Sequence, residues 1–231
     1  MTKEHAYEKA MAILGFLVLT ASLLFIINKG TSQINASQNR KAAIHTEYYK
    51  DISSLSFPVF SDLKEEDAQL ANDAVKLHLK NSYKEFQKIV KDAEKKDKDE
   101  ENVYETSYKV KYNEEGKLSF LIYDYQFSGG AHGMYTVTSY NFDFDKHKQV
   151  VLTDVLNNQA KIEKAKNYIF SYINEHPEQF YSDLKKSDIR LDEQTAFYYT
   201  SSGISIVFQQ YDIAPYAAGN QEIKLPSTLL Y

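Results

Sequence analysis

The residues that could do chemistry together stand in a glycine-rich segment between two strand-like stretches. Three of the eight glycines, Gly129, Gly130 and Gly133, fall within five residues, and His132 stands among them. Glycine permits positive φ and lets a ligand or another backbone come close, so the segment fits a tight turn or a nest of N–H groups that binds an anion. It is not a phosphate loop, because neither a Lys-Ser/Thr pair nor a helix follows it.

Catalysis by His132 would require a nucleophile and a carboxylate that orients the imidazole. Ser128 stands four residues earlier, Asp124 lies on the preceding strand-like stretch, and Asp212 is a more distant candidate. None of these spacings forms a known catalytic signature. A structural histidine bonded to backbone is the favoured interpretation, and a general acid or base working with Asp124 or Asp212 is the alternative.

Other catalytic and metal-binding arrangements are weaker still. The six histidines, at positions 5, 45, 78, 132, 147 and 176, show no metal-ligand spacing. A glycosidase needs two carboxyl groups across a cleft, and the nearest pair, Asp143 with Asp145, fits a strand end and a turn better. The sequence therefore predicts no catalytic residues, no metal and no cofactor, and a protein that is not an enzyme.

A second notable stretch is the loop of residues 211–219, which combines two tyrosines, a proline and small residues. Tyrosine and proline on a preformed loop offer contact area at low entropic cost, as binding surfaces prefer. A buried connection packed on a sheet is the alternative. Together with the glycine-rich segment, this loop gives the predicted ligand-binding residues, which are Gly129, Gly130, His132, Gly133, Tyr211, Pro215 and Tyr216.

Two amphipathic helices are predicted from apolar residues that recur at spacings of three and four. The first begins after residue 62, has acidic residues in its first turn and runs to about Val90, and the second ends before Pro177. The apolar stripe of the first comprises Leu70, Ala71, Ala74, Val75, Leu79, Tyr83, Phe86, Ile89 and Val90, and that of the second comprises Ile162, Ala165, Ile169, Tyr172 and Ile173.

Strands are predicted where the period changes to two. Residues 104–112 alternate between apolar or aromatic and polar types, and a turn at residues 113–116 leads into a returning strand. Pro58 cannot donate to a ladder, so residues 48–60 form an edge strand or a strand end. Further strands are predicted at residues 118–127, 134–144, 150–152, 195–200, 204–209 and 222–225. The pattern is typical of an α+β fold with a mainly antiparallel sheet and two principal helices.

Residues 10–27 contain no charge and are long enough to cross the hydrocarbon core of a bilayer. They predict a transmembrane helix after a tail of residues 1–9, followed by a polar stalk of residues 28–43. The apolar run is longer than that of a cleaved signal peptide, which favours an uncleaved signal anchor. Lys and Arg on the two flanks do not set the orientation, but a large translocated domain favours a cytoplasmic N-terminus and an extracytoplasmic C-terminal domain.

Composition limits the partners of the part that follows. Its net charge is −5 and it has no basic patch dense enough for nucleic acid, so no nucleic-acid partner is expected. The mixed-charge run that ends the first helix is interpreted as a solvated helix end and loop. Without cysteine there is no disulfide framework, so the domain depends on its core for stability.

The two notable stretches also carry a resemblance to a known family. FSGGAHGMYTVTSYNFDF at residues 127–144 and FQQYDIAPYAAGNQEIKL at residues 208–225 resemble the extracytoplasmic domain of the RsiV family of lysozyme-sensing anti-sigma factors. The FPVF segment and the helix after it resemble the companion domain that precedes it, as also found ahead of peptidoglycan deacetylase domains. The resemblance divides the soluble part into a companion α+β region at residues 44–128 and an RsiV-like domain at residues 129–231.

The resemblance implies a sensor or binding module of a Gram-positive-type cell envelope that recognises lysozyme or peptidoglycan. Its implied contact residues are Tyr211, Pro215 and Tyr216. A tail of nine residues is too short for a sigma-binding helical domain, so no sigma factor is expected. The negative net charge is compatible with a basic partner such as lysozyme. A glycan-modifying enzyme or its accessory module is the alternative function, and a purely structural envelope component is the third.

Overall fold

The computed structural model describes residues 41–93 and 102–230. Its strands are β1 (Ala43–Tyr48), β2 (Ser56–Ser61), β3 (Val103–Glu114), β4 (Lys117–Phe127), β5 (Met134–Asp143), β6 (Lys148–Gln149), β7 (Ala196–Thr200), β8 (Gly203–Val207) and β9 (Glu222–Pro226). Its helices are α1 (Glu65–Ala93), α2 (Leu152–Val155) and α3 (Gln159–Glu175). These elements confirm the predicted α+β class.

The strands form three sheets, in the orders β1-β2, β3-β4-β5-β6 and β7-β8-β9. Every neighbouring pair of strands is antiparallel. Pro58 lies in β2 opposite Thr46, in a two-stranded sheet where both strands are edges, as its missing donor requires. The mainly antiparallel arrangement predicted from the alternating patterns is therefore confirmed.

The central strand β4 shows how the layers form. Its side chains alternate between two faces, and both faces are buried. Leu118, Phe120 and Ile122 pack with Ala71, Val75 and Leu79 of α1. Leu121 on the opposite face packs with Val137, Ala196, Tyr198 and Val207. Because β4 is covered on both sides, its sequence reads as a nearly continuous apolar run.

The second long helix covers the outer face of the three-stranded sheet. Ala165, Ile169 and Ile173 of α3 join a core with residues of β7, β8 and β9. The strand residues in this core include Phe197, Ile204, Ile206, Ile223 and Leu225. The order of layers is therefore α1, the four-stranded sheet, the three-stranded sheet and α3.

Side chains from the four-stranded sheet bond to the backbone of β7, which is an edge strand of the three-stranded sheet. Phe197 N–H donates to Ser139 Oγ (3.1 Å) and Tyr199 N–H donates to Ser119 Oγ (3.0 Å). The carbonyl of Phe197 accepts from Asn141 Nδ2 at 2.9 Å. Ser119 in turn donates to Asn141 Oδ1 at 2.6 Å, and both side chains are buried. We call Ser119, Ser139 and Asn141 the polar seam.

Three features differ from the sequence-based prediction: one strand, the exposure of one helix residue and the start of the folded part. The strand predicted at residues 150–152 is wrong: β6 ends at Gln149, and Leu152 begins a helical turn because Asp154 accepts from the Val151 N–H at 3.0 Å. Val90, predicted on the apolar stripe of α1, is 42% exposed, whereas Ser82 is buried. The folded part begins before residue 44, because Asn113 bonds both backbone polar groups of Ala42.

The predicted transmembrane helix at residues 10–27, the tail, most of the stalk and most of the mixed-charge run lie outside the described residues. Within the described ranges 41–93 and 102–230, no helix combines the length and apolar character needed to cross a membrane.

The hairpin turn before β8 requires glycine at position 203. Gly203 has φ +151°, and a Cβ there would lie 2.2 Å from the carbonyl oxygen of Leu225. We expect Gly203→Ala to lower the free energy of unfolding by roughly 1–3 kcal/mol, because the backbone strain adds to a clash with a backbone atom. Urea denaturation followed by circular dichroism measures it. Gly219→Ala is the control, because Gly219 also has positive φ but a Cβ there meets nothing within 4 Å. Equal losses for both variants would contradict the clash.

Candidate functional site

Two connections reach the same end of the four-stranded sheet. Residues 128–133 join β4 to β5, and residues 208–221 join β8 to β9. Gly129 and Gly130 both have positive φ, at +93° and +104°, which explains the glycine pair at the start of the first connection. The second contains a short 3₁₀ turn, Tyr216–Ala218, which begins after Pro215.

Glutamine side chains hold the second connection against the free edge of β5. Gln209 bonds both backbone groups of Val137: its Oε1 accepts from the N–H at 2.9 Å and its Nε2 donates to the carbonyl at 2.7 Å. Gln210 Oε1 accepts from the Tyr135 N–H at 2.8 Å. The two side chains therefore occupy the place of a neighbouring strand. They bring the 211–219 loop beside the glycine-rich segment.

The two predicted stretches meet through their aromatic rings. His132 stacks on Tyr216 with ring centroids 3.7 Å apart and an interplanar angle of 16°. The hydroxyl of Tyr211 lies 3.4 Å from His132 Nε2, and the Tyr211 and Tyr216 rings are 5.9 Å apart. His132 Nδ1 lies 3.2 Å from the carbonyl oxygen of Gly133. Three of the seven predicted ligand-binding residues, Tyr211, His132 and Tyr216, thus form one cluster.

The cluster lies at the protein surface. Tyr211 is 44% exposed, His132 and Pro215 are exposed, and Tyr216 is half-buried. The ring of Tyr125 packs on that of Tyr135 at 4.8 Å, and Tyr125 closely approaches the buried Gly133. Of the other predicted positions, Gly129 is half-buried and Gly130 is exposed in the same segment. We call Tyr125, His132, Tyr135, Tyr211 and Tyr216 the tyrosine–histidine surface.

Neither carboxylate considered as a partner of His132 contacts it. Among the described residues, the hydrogen bonds and ion pairs of His132 do not include Asp124 or Asp212. Asp212 Oδ2 accepts from the Gln209 N–H at 2.8 Å, which closes the start of its loop. The carboxylate pair considered for a glycosidase is also in a turn, because Asp143 Oδ1 accepts from the Asp145 N–H at 3.2 Å.

Asp124 instead belongs to a buried network that joins α1 to the sheet. Its Oδ1 accepts from Ser82 Oγ and from Tyr104 Oη, both at 2.9 Å. His78 Nε2 lies 2.9 Å from Oδ2, an ion-pair distance, although its N–H is not aligned for a hydrogen bond. His78 Nδ1 lies 3.0 Å from the hydroxyl of Tyr140. The side chains of His78 and Asp124 are only 10% and 13% exposed, so this pair is structural.

The network determines the charge state of Asp124. Burial alone would raise the pKa of its carboxyl, but the adjacent His78 imidazole and the hydroxyls of Tyr104 and Ser82 outweigh burial and lower the pKa below its ordinary range. Burial raises the pKa of Tyr140 to about 12, so its hydroxyl remains a donor. The carboxylate is therefore ionised at neutral pH and holds α1 to β4.

Sequence reasoning missed several residues that build this region. Tyr125 and Tyr135 occupy strand positions where an aromatic residue is unremarkable. Gln209 and Gln210 directly precede the predicted loop. Their two amide side chains at the end of a strand were the only indication in the sequence that side chains would bond to the β5 backbone in place of a neighbouring strand. His78 was counted among scattered histidines, although it precedes Ser82 by one helical turn.

Metal binding has no support in the described residues. No group of three or more His, Cys, Asp or Glu in residues 41–93 and 102–230 is arranged to hold a metal ion.

Two family descriptions match the chain, the first ending within β5 and the second beginning after it. The one described as "Deacetylase PdaC" matches residues 42–135, and the one described as "Protein of unknown function (DUF3298)" matches residues 145–228. Residues 42–135 are therefore similar to the first family and residues 145–228 to the second, consistent with the predicted resemblance to the companion domain found ahead of deacetylases. His132 lies in the first matched region and Tyr211 and Tyr216 in the second, so both regions contribute to the tyrosine–histidine surface.

A curated relative carries the same name as the first family. The chain is 25% identical over 187 residues to the peptidoglycan-N-acetylmuramic acid deacetylase PdaC of Bacillus subtilis (strain 168). The match covers 77% of this chain but only 38% of that protein. The chain therefore spans well under half of the length of the deacetylase.

Solved structures share the fold. A DUF3298 family protein from Pseudomonas aeruginosa PAO1 superposes with a TM-score of 0.56 at 18% identity, covering 84% of this chain and 91% of that one. A DUF3298 family member from Bacteroides fragilis NCTC 9343 gives a TM-score of 0.51 at 17% identity, covering 83% and 93%. At these identities the likeness establishes the α+β fold with antiparallel sheets.

The lowered pKa of Asp124 gives a pH dependence of stability. Its contribution is fully present above the carboxyl's unfolded pKa of about 4 and is lost as the pH falls through the lower folded pKa. We expect Asp124→Asn to cost roughly 1–3 kcal/mol at pH 7 and to flatten the fall in stability as the pH drops below about 4. Denaturant titrations at several pH values measure both effects. The control is Asp73→Asn, whose side chain is 55% exposed. A variant that remains as acid-sensitive as the unaltered chain would contradict this role.

Proposed function

We propose that this chain is a membrane-tethered, non-enzymatic binding module of the cell envelope, and that its tyrosine–histidine surface recognises a cell-wall glycan. The observation that carries the proposal is the stack of His132 on Tyr216, which joins two loops distant in sequence into one exposed aromatic surface. The relative that acts on peptidoglycan supports the choice of ligand, because its name specifies that polymer.

The chemistry of the surface suits a sugar chain. The faces of aromatic rings carry partial negative charge, and the apolar C–H faces of pyranose rings pack against them. The polar tips of Tyr211 and Tyr135 remain available for sugar hydroxyls. Tyrosine supplies large contact area at low entropic cost, since it has only two rotatable side-chain bonds.

The surface is also preformed. Gln209 and Gln210 attach one loop to β5, and the stack of His132 on Tyr216 attaches the other. Rigid loops lose little entropy when they bind, which matters for a ligand that offers few strong contacts.

The membrane tether rests on the apolar run at residues 10–27. In the arrangement we propose, residues 1–9 are cytoplasmic and the folded part, which begins near residue 41, faces the cell wall. The polar residues between them provide reach between the bilayer and the glycan.

Lysozyme is a second candidate ligand. The resemblance to lysozyme-sensing ectodomains, together with the net charge of −5, favours a basic protein partner at the same loops. Tyrosine-rich surfaces serve protein partners as readily as glycans, so binding measurements must include both ligands.

Replacing Tyr216 tests the surface. We expect Tyr216→Ala to weaken co-sedimentation of the full-length chain with purified peptidoglycan by about 5- to 30-fold, because it removes the ring that stacks on His132. Tyr168→Ala is the matched control, since Tyr168 lies on α3 and is 37% exposed.

Calorimetric titration with lysozyme completes the test. Binding to lysozyme but not to peptidoglycan, with the same sensitivity to Tyr216→Ala, would replace the glycan by the protein. If a folded chain bound neither ligand, or if Tyr216→Ala bound as well as Tyr168→Ala, the proposed surface would be wrong.

The enzymatic alternative, in which His132 acts with Asp124 or Asp212, is less well supported because both carboxylates are bonded elsewhere. We expect the full-length chain to release neither acetate nor reducing ends from peptidoglycan, and His132→Ala to change only binding. Acetate release and reducing-sugar assays measure this. Turnover that disappears in His132→Ala would establish the alternative.

A further inference from the structure

A second concave site lies at the other end of the four-stranded sheet. Lys117 at the start of β4 lines a cavity of about 430 Å³ together with Asp143, Tyr199, Ser201 and Ser202, and we call it the Lys117 cavity. The eleven residues of β4 separate it from the glycine-rich segment, a distance of roughly 35 Å at the usual rise of a strand. It is therefore distinct from the tyrosine–histidine surface. Its volume falls in the usual range of small-molecule sites.

Among the described residues that line the cavity, one lysine has no ion pair. Lys146 Nζ lies 3.0 Å from Asp143 Oδ2, and Lys148 Nζ lies 2.8 Å from Asp154 Oδ1. Lys117 lines the same space, but no carboxylate of the described residues lies within ion-pair distance of its ammonium. Its Nζ instead lies 5.8 Å from the centre of the Tyr199 ring. The Glu115 carboxylate also lines the cavity, where it accepts from the Tyr112 hydroxyl at 3.5 Å. An incoming carboxylate would therefore find the Lys117 ammonium available.

The remaining lining is rich in hydroxyl groups. Thr200, Ser201 and Ser202 come from the end of β7 and the turn to β8, and each hydroxyl can both donate and accept. The Tyr199 hydroxyl has no hydrogen-bond partner among the described residues. Burial, followed by the negative charges of Asp143 and Asp154, raises the pKa of Tyr199, so its hydroxyl remains protonated and able to donate.

An apolar floor and two rings complete the cavity. Val150 and Ile204 are buried beneath it. The rings of Tyr112 and Tyr199 lie edge to face with centroids 6.3 Å apart, which fixes the Tyr199 ring at the wall. A ligand here meets donors, acceptors, the Lys117 ammonium and an apolar surface, the combination that a ring with many hydroxyls and one acid group requires.

We propose that the Lys117 cavity binds a sugar acid of monosaccharide size, with its carboxylate paired to Lys117 and its hydroxyls bonded to the Thr200–Ser202 turn and to Asp143. The proposal is independent of the function assigned to the tyrosine–histidine surface, since no residue belongs to both sites.

The test compares two sugars that differ at one carbon. D-Glucuronate and D-glucose are titrated into the ¹⁵N-labelled full-length chain, and amide shifts are followed by NMR. We expect glucuronate to shift the amides of Lys117 and Gly203 and to bind about three- to tenfold more tightly than glucose, because it adds one charge-assisted contact. Lys117→Gln should remove that preference and leave glucose binding unchanged. Lys164→Gln, at an exposed position on α3, is the matched control.

Further arms separate the competing explanations. Tyr199→Phe, which keeps the ring, should weaken both sugars, and Tyr216→Ala should affect neither. Acetate that binds as well as glucuronate would reveal a plain carboxylate site and overturn the proposal. So would glucuronate shifts confined to other residues, an unchanged preference in folded Lys117→Gln, or the absence of shifts with both sugars.

Discussion

The hydrogen bonds between the polar seam and the edge of β7 are the constraint on which the rest of the molecule depends. The N–H groups of Phe197 and Tyr199 and the carbonyl of Phe197 belong to an edge strand, yet they lie against another sheet, where an unpaired backbone group would cost free energy. Ser119, Ser139 and Asn141 satisfy them with side chains that point from the face of the four-stranded sheet. These hydrogen bonds hold the three-stranded sheet in one orientation on the four-stranded sheet, since apolar packing alone is not directional.

The position of the three-stranded sheet determines where its connecting loops lie. Because β7 is held over the four-stranded sheet, β8 ends beside the free edge of β5. Gln209 can therefore bond both backbone polar groups of Val137. The same placement puts the 211–219 loop next to His132 at one end of the sheet. At the other end it places the β7–β8 turn across from Lys117. Both proposed binding sites are therefore consequences of a single sheet-to-sheet arrangement.

This arrangement also explains how the two matched regions work together. The PdaC match ends within β5, and the DUF3298 match begins after it, but the polar seam takes Ser119 from the first region and bonds to β7 in the second. The described residues from Lys41 onward form one compact unit by their contacts. The tyrosine–histidine surface takes residues from both regions and exists only when they are packed together, so a fragment with one of them would lack it.

Much of this could be predicted from local pattern. The stripes of α1 and α3, the alternation of β3 and the run of β4 identified the α+β class and the hairpins, because periodicity follows directly from backbone geometry. The strand predicted at residues 150–152 was wrong because a capping carboxylate three residues on favours a helical turn. Val90 was misplaced because its spacing fits the stripe, whereas the neighbouring Ile89 is the residue that enters the core at that end of α1.

The candidate site, like the fold, could be predicted from the sequence only in part. Local sequence was enough to identify the segments that could offer contacts, because Gly-Gly pairs, proline and tyrosine have conformational and chemical properties that do not depend on distant residues. Three contacts became visible only in the folded chain: His132 stacks on Tyr216 across 84 residues, Asp124 pairs with His78 and not with His132, and Lys117 faces the β7–β8 turn. Such contacts depend on how the two sheets pack, and that packing is fixed by hydrogen bonds between residues distant in sequence, those of the polar seam.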